Sequence, residues 1–191
     1  MVTDKRKIEE DEKLIPGKII QNDYHIFISH ASSNDETSTG VKQLQGEHEY
    51  VLMIAKKLGT DPFNYRVFLD LLEKPFPDQS TIVLAYKNSK FGLFICSPRF
   101  NARYGENSGY VLRKEVTHFQ SLESEGIKCI IPVILGTDKL KFTKESPFES
   151  LDFRVDGRYD DLLKNSFNYD LVIEEICLDI HKFIQSSRPN S

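Results

Sequence analysis

The first candidate for chemistry is Glu115, in the stretch Y-V-L-R-K-E-V at 110 to 116. With Val111 set at zero on a helical wheel, Leu112 falls at about 100°, Glu115 at about 40°, Val116 at about 140°, Phe119 at about 80° and Leu122 at about 20°. One carboxylate therefore lies inside an apolar arc. Arg113, Lys114 and Thr117 fall at about 200°, 300° and 240°, on the opposite side, as solvated residues should. A helix starting near Ser108 leaves Glu115 beyond the first turn, so neither capping nor the helix dipole accounts for it. Three readings stay open: an edge position with the carboxylate reaching water, a buried ion pair with a cation from elsewhere, and a working group in a site.

The second candidate region is H-A-S-S at 30 to 33, which follows the apolar run Y-H-I-F-I-S directly. If that run is a central strand, His30, Ala31, Ser32 and Ser33 form the loop at its carboxyl edge, where a ligand crevice opens in an α/β sheet. On loop chemistry alone, Ser32, Ser33 or Asn34 caps a helix or shapes a turn. Asp70 closes the run Y-R-V-F-L-D at 65 to 70 and is divided between pairing with backbone amides and belonging to a site. The chain carries no Ser-His-Asp arrangement, Walker loop or metal-ligand spacing, so no metal is expected. The segment G-E-N-S-G at 105 to 109 lacks the G-x-G-x-x-G spacing of a hydride-transfer dinucleotide fold.

These residues need a frame that brings them to one end. Short β-branched and aromatic runs at 24 to 29, 65 to 70, 91 to 97 and 129 to 135 alternate with helical patterns at Glu47 to Leu58, Asp78 to Asn88, Gly109 to Glu123 and Tyr169 to Ile184. Most of the runs are apolar nearly throughout, which suits parallel strands covered on both faces. A doubly wound α/β sheet follows. The polar segment 36 to 46, bracketed by Gly40 and Gly46, reads as a long first loop. Residues 1 to 22 are a charged extension with almost nothing to bury, 23 to 187 form one domain, and 188 to 191 are a tail.

Composition excludes several classes. A net charge of −4 and a pI near 5.8 give no electrostatic footprint for nucleic acid. No run approaches the roughly 18 apolar residues of a membrane span, and the opening is too charged for a secretory signal. A soluble cytoplasmic protein is the expectation. Cys96, Cys129 and Cys177 lie singly in apolar segments, and an odd count argues against a disulfide framework. They read as reduced core residues.

Taken together, F-I-S-H-A-S-S-N-D, V-F-L-D (67 to 70), S-K-F-G-L-F-I-C-S-P (89 to 98), K-E-V (114 to 116) and I-I-P-V-I (130 to 134) stand in one order. That order resembles a Toll/interleukin-1 receptor (TIR) domain of the bacterial type, over about residues 23 to 187. The resemblance implies a flavodoxin-like sheet of five parallel strands with helices on both faces. It implies a choice of function: cleavage of NAD at the nicotinamide-ribose bond, or non-catalytic assembly as an adaptor through homotypic TIR contacts. Glu115 matches the catalytic glutamate of the enzymatic members. Two departures stand out. The family often has Trp four residues before this Glu, where this chain has Val111, with Tyr110 one residue earlier. The second loop carries Pro75 and Pro77 in place of the family's common glycine, which stiffens it.

On this resemblance the chain is an NAD nucleosidase or ADP-ribosyl cyclase with NAD as substrate, releasing nicotinamide and either ADP-ribose or a cyclised signalling nucleotide. Similar stand-alone proteins act in prokaryotic immune defence, where a separate effector senses the product, and complete their pockets by self-association. A glycosidase normally needs two carboxylates, one to protonate the departing oxygen. Nicotinamide leaves as a neutral molecule from an already cationic pyridinium, so one carboxylate that offsets the ribosyl cation is enough. His30 or Ser32 would hydrogen-bond the dinucleotide beside Ala31, with Asp70 at the same sheet end, and Phe76 or Tyr110 would stack on a base.

Overall fold

The computed structural model describes residues 24–31, 40–73, 77–105, 109–135, 147–148, 151, 153–157 and 169–187, with the backbone alone over 40–46. Strand β1 (Tyr24–Ser29) leads to helix α1 (Gly40–Leu58), strand β2 (Val67–Phe68), a 3-10 turn (Asp70–Leu72), helix α2 (Gln79–Lys87) and strand β3 (Ser89–Cys96). Helix α3 (Pro98–Gly105), helix α4 (Tyr110–Ser124), strand β4 (Ile130–Ile134), strand β5 (Val155–Asp156) and helix α5 (Tyr169–Ser186) follow. All five strands are parallel, in the order β2-β1-β3-β4-β5. This is a doubly wound α/β sheet of flavodoxin-like topology, and its crossover helices cover both faces.

The nearly unbroken apolar strands occupy the middle. In β1, Ile26, Phe27 and Ile28 are buried, and in β3 every residue except Lys90 is. The edges are short: β2 pairs only through Ile26 with Val67 and Phe27 with Phe68, and β5 only through Val133 with Val155 and Ile134 with Asp156. Two-residue edges leave little ladder for a foreign strand to extend. Pro132 is tolerated because of its parity. Leu135 N–H donates to Cys96 and the Ile134 carbonyl accepts from Gly157, so the Pro132 nitrogen points to the β5 side before β5 begins to pair.

Right-handed crossovers in this strand order put α1 and α5 on one face and α2 and α4 on the other. The contacts agree, α1 packing on α5 and α2 on α4. On the first face Tyr50, Val51, Ile54 and Leu58 meet Ile173, Ile176, Cys177 and Ile180, all buried. On the second, Phe119 packs against Phe27 and Phe94 at ring separations of 6.4 and 5.7 Å. Gly92 makes room for that ring, since a Cβ there would stand 2.6 Å from it.

Two sequence expectations change. Helix α1 begins at Gly40, seven residues before Glu47, so the first loop does not extend to residue 46; Val41, Leu44, Val51 and Leu58 continue one apolar spacing, and the helix absorbs an internal glycine cost of about 1 kcal/mol at Gly46. The strand expected over 65 to 70 contracts to Val67–Phe68 because Tyr65 N–H is committed to the Leu58 carbonyl, closing α1, while Leu72 N–H turns back to Leu69. Helix α3 was not anticipated, nor was a position for β5. The extension at 1 to 22 and the tail at 188 to 191 lie outside the described residues. The three cysteines are free and buried, with burial raising the thiols of Cys129 and Cys177 to about 12.

Candidate active site

At the carboxyl edge of β1 the strand delivers Ser29 and His30, and β2 delivers Phe68 and, two residues on, Asp70. Helix α4 brings Glu115 over the same end. A cleft of about 180 Å³ opens there, floored by Phe27, Ile28 and Phe68, walled by Ile82, Val111 and Leu112, and carrying Ser29, His30, Asp70, Arg103 and Glu115 as its polar lining. Apolar walls with a few convergent polar groups are the usual composition of a small-molecule site.

Glu115 is 7% exposed, as its place in the apolar arc requires. Its Oε2 accepts a 2.6 Å hydrogen bond from Ser29 Oγ, short as such bonds to carboxylates are. Among the described residues it makes no ion pair. Burial pushes the carboxyl up from its usual range to about 7; the Asp70 charge raises it further, while the Ser29 hydrogen bond and the Arg103 charge pull the other way. The result is a desolvated acid poised near neutrality at the bottom of an open cleft, a combination more typical of working groups than of structural ones.

His30 and Asp70 form a second pair. His30 Nε2 and Asp70 Oδ1 lie 2.8 Å apart, with the imidazole side chain 2% exposed and the carboxylate 29%. Burial raises the Asp70 carboxyl, but the hydrogen bond and charge of His30, the Leu71 N–H and the His48 charge outweigh it and hold it below its ordinary value. Asp70 thus meets both a backbone amide and the His30 side chain at the edge of the cleft. Among the described residues His30 Nδ1 is buried without a hydrogen-bond partner, and the ring packs edge-on to His48 at 5.5 Å. Both polar atoms of His30 face protein, so its geometry suits positioning Asp70 better than grasping a ligand.

The structure brings Glu115, His30 and Asp70 together. Ala31 is fully buried and is not part of the lining. Tyr110 is also outside the lining, with Lys114 Nζ 4.6 Å above its ring; Val111 takes the wall position. Ser32 and Phe76 lie outside the described residues. Sequence reasoning passed over Ser29 and Arg103. Ser29 had a signal, a lone hydroxyl closing an apolar strand in the residue before His30; Arg103 had none, because its place depends on how α3 meets α4. Among the described residues no cluster of His, Cys, Asp and Glu could hold a metal, and no helix is long and apolar enough to cross a membrane.

Comparison with known proteins finds no family model that matches the chain and no curated protein whose sequence matches it.

Proposed function

We propose that the chain is an NAD-cleaving enzyme of the TIR type, with Glu115 as the catalytic residue. The observation that carries this is the Glu115 carboxylate: buried, hydrogen-bonded by Ser29, free of any ion pair among the described residues, and open to a cleft. A carboxyl raised to about 7 is an anion short of compensation, and a cation arriving in the cleft lowers it again. The pyridinium-ribose end of NAD is such a cation. As the C1′–N bond breaks, its electron pair goes to the nicotinamide nitrogen and positive charge passes to the ribosyl carbon, which the carboxylate stabilises in a water-poor site. Water then adds at C1′ and gives up a proton, yielding ADP-ribose; attack by a nitrogen of the adenine instead closes a cyclic nucleotide. The cleft volume lies below the roughly 300 Å³ of a pocket that encloses a drug-sized ligand, so it takes the ring-and-ribose end and leaves the rest of the dinucleotide outside. The ordered TIR-like motifs support the same reading and add a cytoplasmic, immune-signalling setting.

A second reading, an adaptor acting by TIR-TIR assembly, draws on Leu72, a large apolar side chain 40% exposed on the turn after β2. It leaves Glu115 without work. The deciding experiment is incubation of the purified protein with NAD over a range of protein concentrations, with products resolved by mass. Nicotinamide with ADP-ribose or its cyclised form is the expected outcome. Nicotinamide release no faster than the spontaneous rate at every concentration overturns the enzyme and leaves the adaptor.

A further inference from the structure

The cleavage step gives a task to one carboxylate of the cleft and leaves the other, Asp70, without one. Phe68 and Leu69 are buried just before it, and the 3-10 turn that it opens is closed by Leu72 N–H on Leu69 and Glu73 N–H on the Asp70 carbonyl. Its backbone is therefore fixed at the carboxyl edge of β2. The side chain lines the cleft with 29% exposure, while His30, 2% exposed, meets its Oδ1 at 2.8 Å. Two lone pairs facing each other at that distance would repel, so Nε2 carries a proton and donates to Asp70. Among the described residues His30 Nδ1 has no partner, so no competing bond turns the ring away.

The two acids then differ in charge before any ligand arrives. Burial raises Glu115 to about 7, so about half of the molecules hold it as a neutral acid at neutral pH. A neutral acid does not attract a cation. Burial also works against the charge of Asp70, but His30, the Leu71 N–H and His48 outweigh it and keep this carboxyl an anion. The other titratable or charged groups facing the pair are His48 of α1, itself lowered by burial, and Arg103 of α3, whose charge lowers Glu115.

NAD carries positive charge on its pyridinium ring, and its reduced form does not. We propose that Asp70, positioned by His30, is the fixed anion that receives the pyridinium-ribose cation, so that the cleft selects the oxidised dinucleotide before Glu115 acts on it. This rests on the NAD-cleaving reading for its ligand and adds a division of labour, with Asp70 contributing to ground-state binding and Glu115 to the transition state. The diphosphate and adenosine, outside the cleft, play no part in it.

The test uses Glu115→Gln to remove turnover and the second carboxylate together. The full chain is titrated calorimetrically with NAD and with NADH, which has the same nucleotide parts and a neutral ring, so contacts outside the cleft cancel in the ratio of the two Kd values. In E115Q, NAD should bind about ten- to hundred-fold more tightly than NADH, as one half-buried charge pair implies. The ratio should collapse to near one in E115Q/D70N, which keeps an acceptor for the Nε2–H. It should largely persist in E115Q/D70E and in E115Q/H30Q, whose amide nitrogen replaces Nε2 as donor. A ratio near one in E115Q, or one that D70N leaves unchanged, overturns the proposal. A measurement that leaves Asp70 in place covers a D70N protein that does not fold: in carboxyl-carbon NMR of E115Q, the Asp70 resonance should shift with 1-methylnicotinamide, a lone pyridinium, and stay in place with neutral nicotinamide. No shift, or equal shifts, overturns the proposal. If the parent releases no nicotinamide from NAD, the cleavage reading fails, and these ratios and shifts still decide the subsite.

Discussion

Two serines close the neighbouring strands β1 and β3, and each donates to a buried glutamate, but on opposite faces of the sheet. Ser29 bonds Glu115 of α4 at 2.6 Å and Ser97 bonds Glu47 of α1 at 3.1 Å; both carboxylates are 7% exposed. By burial and bonding the pairs are near equals. They differ in what surrounds them. Ser97 also caps α3, so Glu47 reinforces a helix start where negative charge is favoured. Burial raises the Glu47 carboxyl, and the Ser97 hydrogen bond with the charges of His30 and Arg99 oppose that rise; Glu47 does not line the cleft. Glu115 has open space in front of it and the like charge of Asp70 beside it. A buried acid with a serine is therefore not in itself a site. Access and a shortage of compensating charge make the difference.

The largest effect should separate the two acids by rate. Glu115→Gln keeps shape and removes the charge that faces the ribosyl cation, so nicotinamide release should drop about hundred- to thousand-fold, as removal of an electrostatic stabiliser does. Glu47→Gln should cost less than about ten-fold, an effect confined to α3. Initial rates with NAD at saturating concentration check both. Similar losses in the two variants would erase the distinction.

The next effect is on stability, and its sign is opposite to that of a broken ion pair. Between pH 4.5 and about 7 the unfolded chain releases the Glu115 proton while the folded protein retains it, so the folded state binds more protons and stability falls as pH rises through that window. At about 1.4 kcal/mol per pH unit the loss totals roughly 3 kcal/mol and is complete above pH 7. Glu115→Gln removes this slope, so its advantage over the parent should grow from pH 5 to pH 7 and then level off. Losing half of a buried ion pair would instead destabilise by about 3 to 5 kcal/mol. Other groups contribute slopes of their own: Asp70, held low, and His48, lowered by burial, both withdraw stability as pH falls. Denaturant titrations of parent and variant across the pH range cancel these in the difference.

The contrast between the two acids also marks how far the sequence reaches. Glu115 was legible because one carboxylate among Val111, Leu112, Val116 and Phe119 breaks a helical stripe, and 3.6-residue spacing fixes which way it points. The parallel sheet was legible from continuously apolar β1 and β3, since strands covered on both faces leave no polar alternation. Glu47 was not singled out: the helical pattern was read as starting there, whereas α1 starts at Gly40 and Glu47 meets Ser97. Helix α3 had its punctuation in place, Ser97 as cap, Pro98 in the first turn and Gly105 at the end, but eight residues give too little apolar periodicity to assert a helix. Strand β5 is two residues long and exists only because β4 offers it an edge.

The smallest effects should come from the serines, and they are the finest test of the comparison. Ser29→Ala removes a hydrogen bond that lowers the Glu115 carboxyl, so the ionised form needed to face the ribosyl cation is reached only at higher pH. The acid limb of the rate profile should move upward by a fraction of a pH unit to about one unit, with the alkaline plateau largely retained. Ser97→Ala removes a helix cap and strips Glu47 of its hydrogen-bond donor, which should cost about 1 to 2 kcal/mol. Tm should then drop by about 2 to 8 °C for a chain of this size, while the pH profile stays in place, because Ser97 does not touch Glu115. Profiles and melting curves recorded on the same two variants would show one serine acting on a proton and the other on a helix. A Ser97→Ala profile displaced as far as that of Ser29→Ala would mean that the two faces of the sheet share one titration.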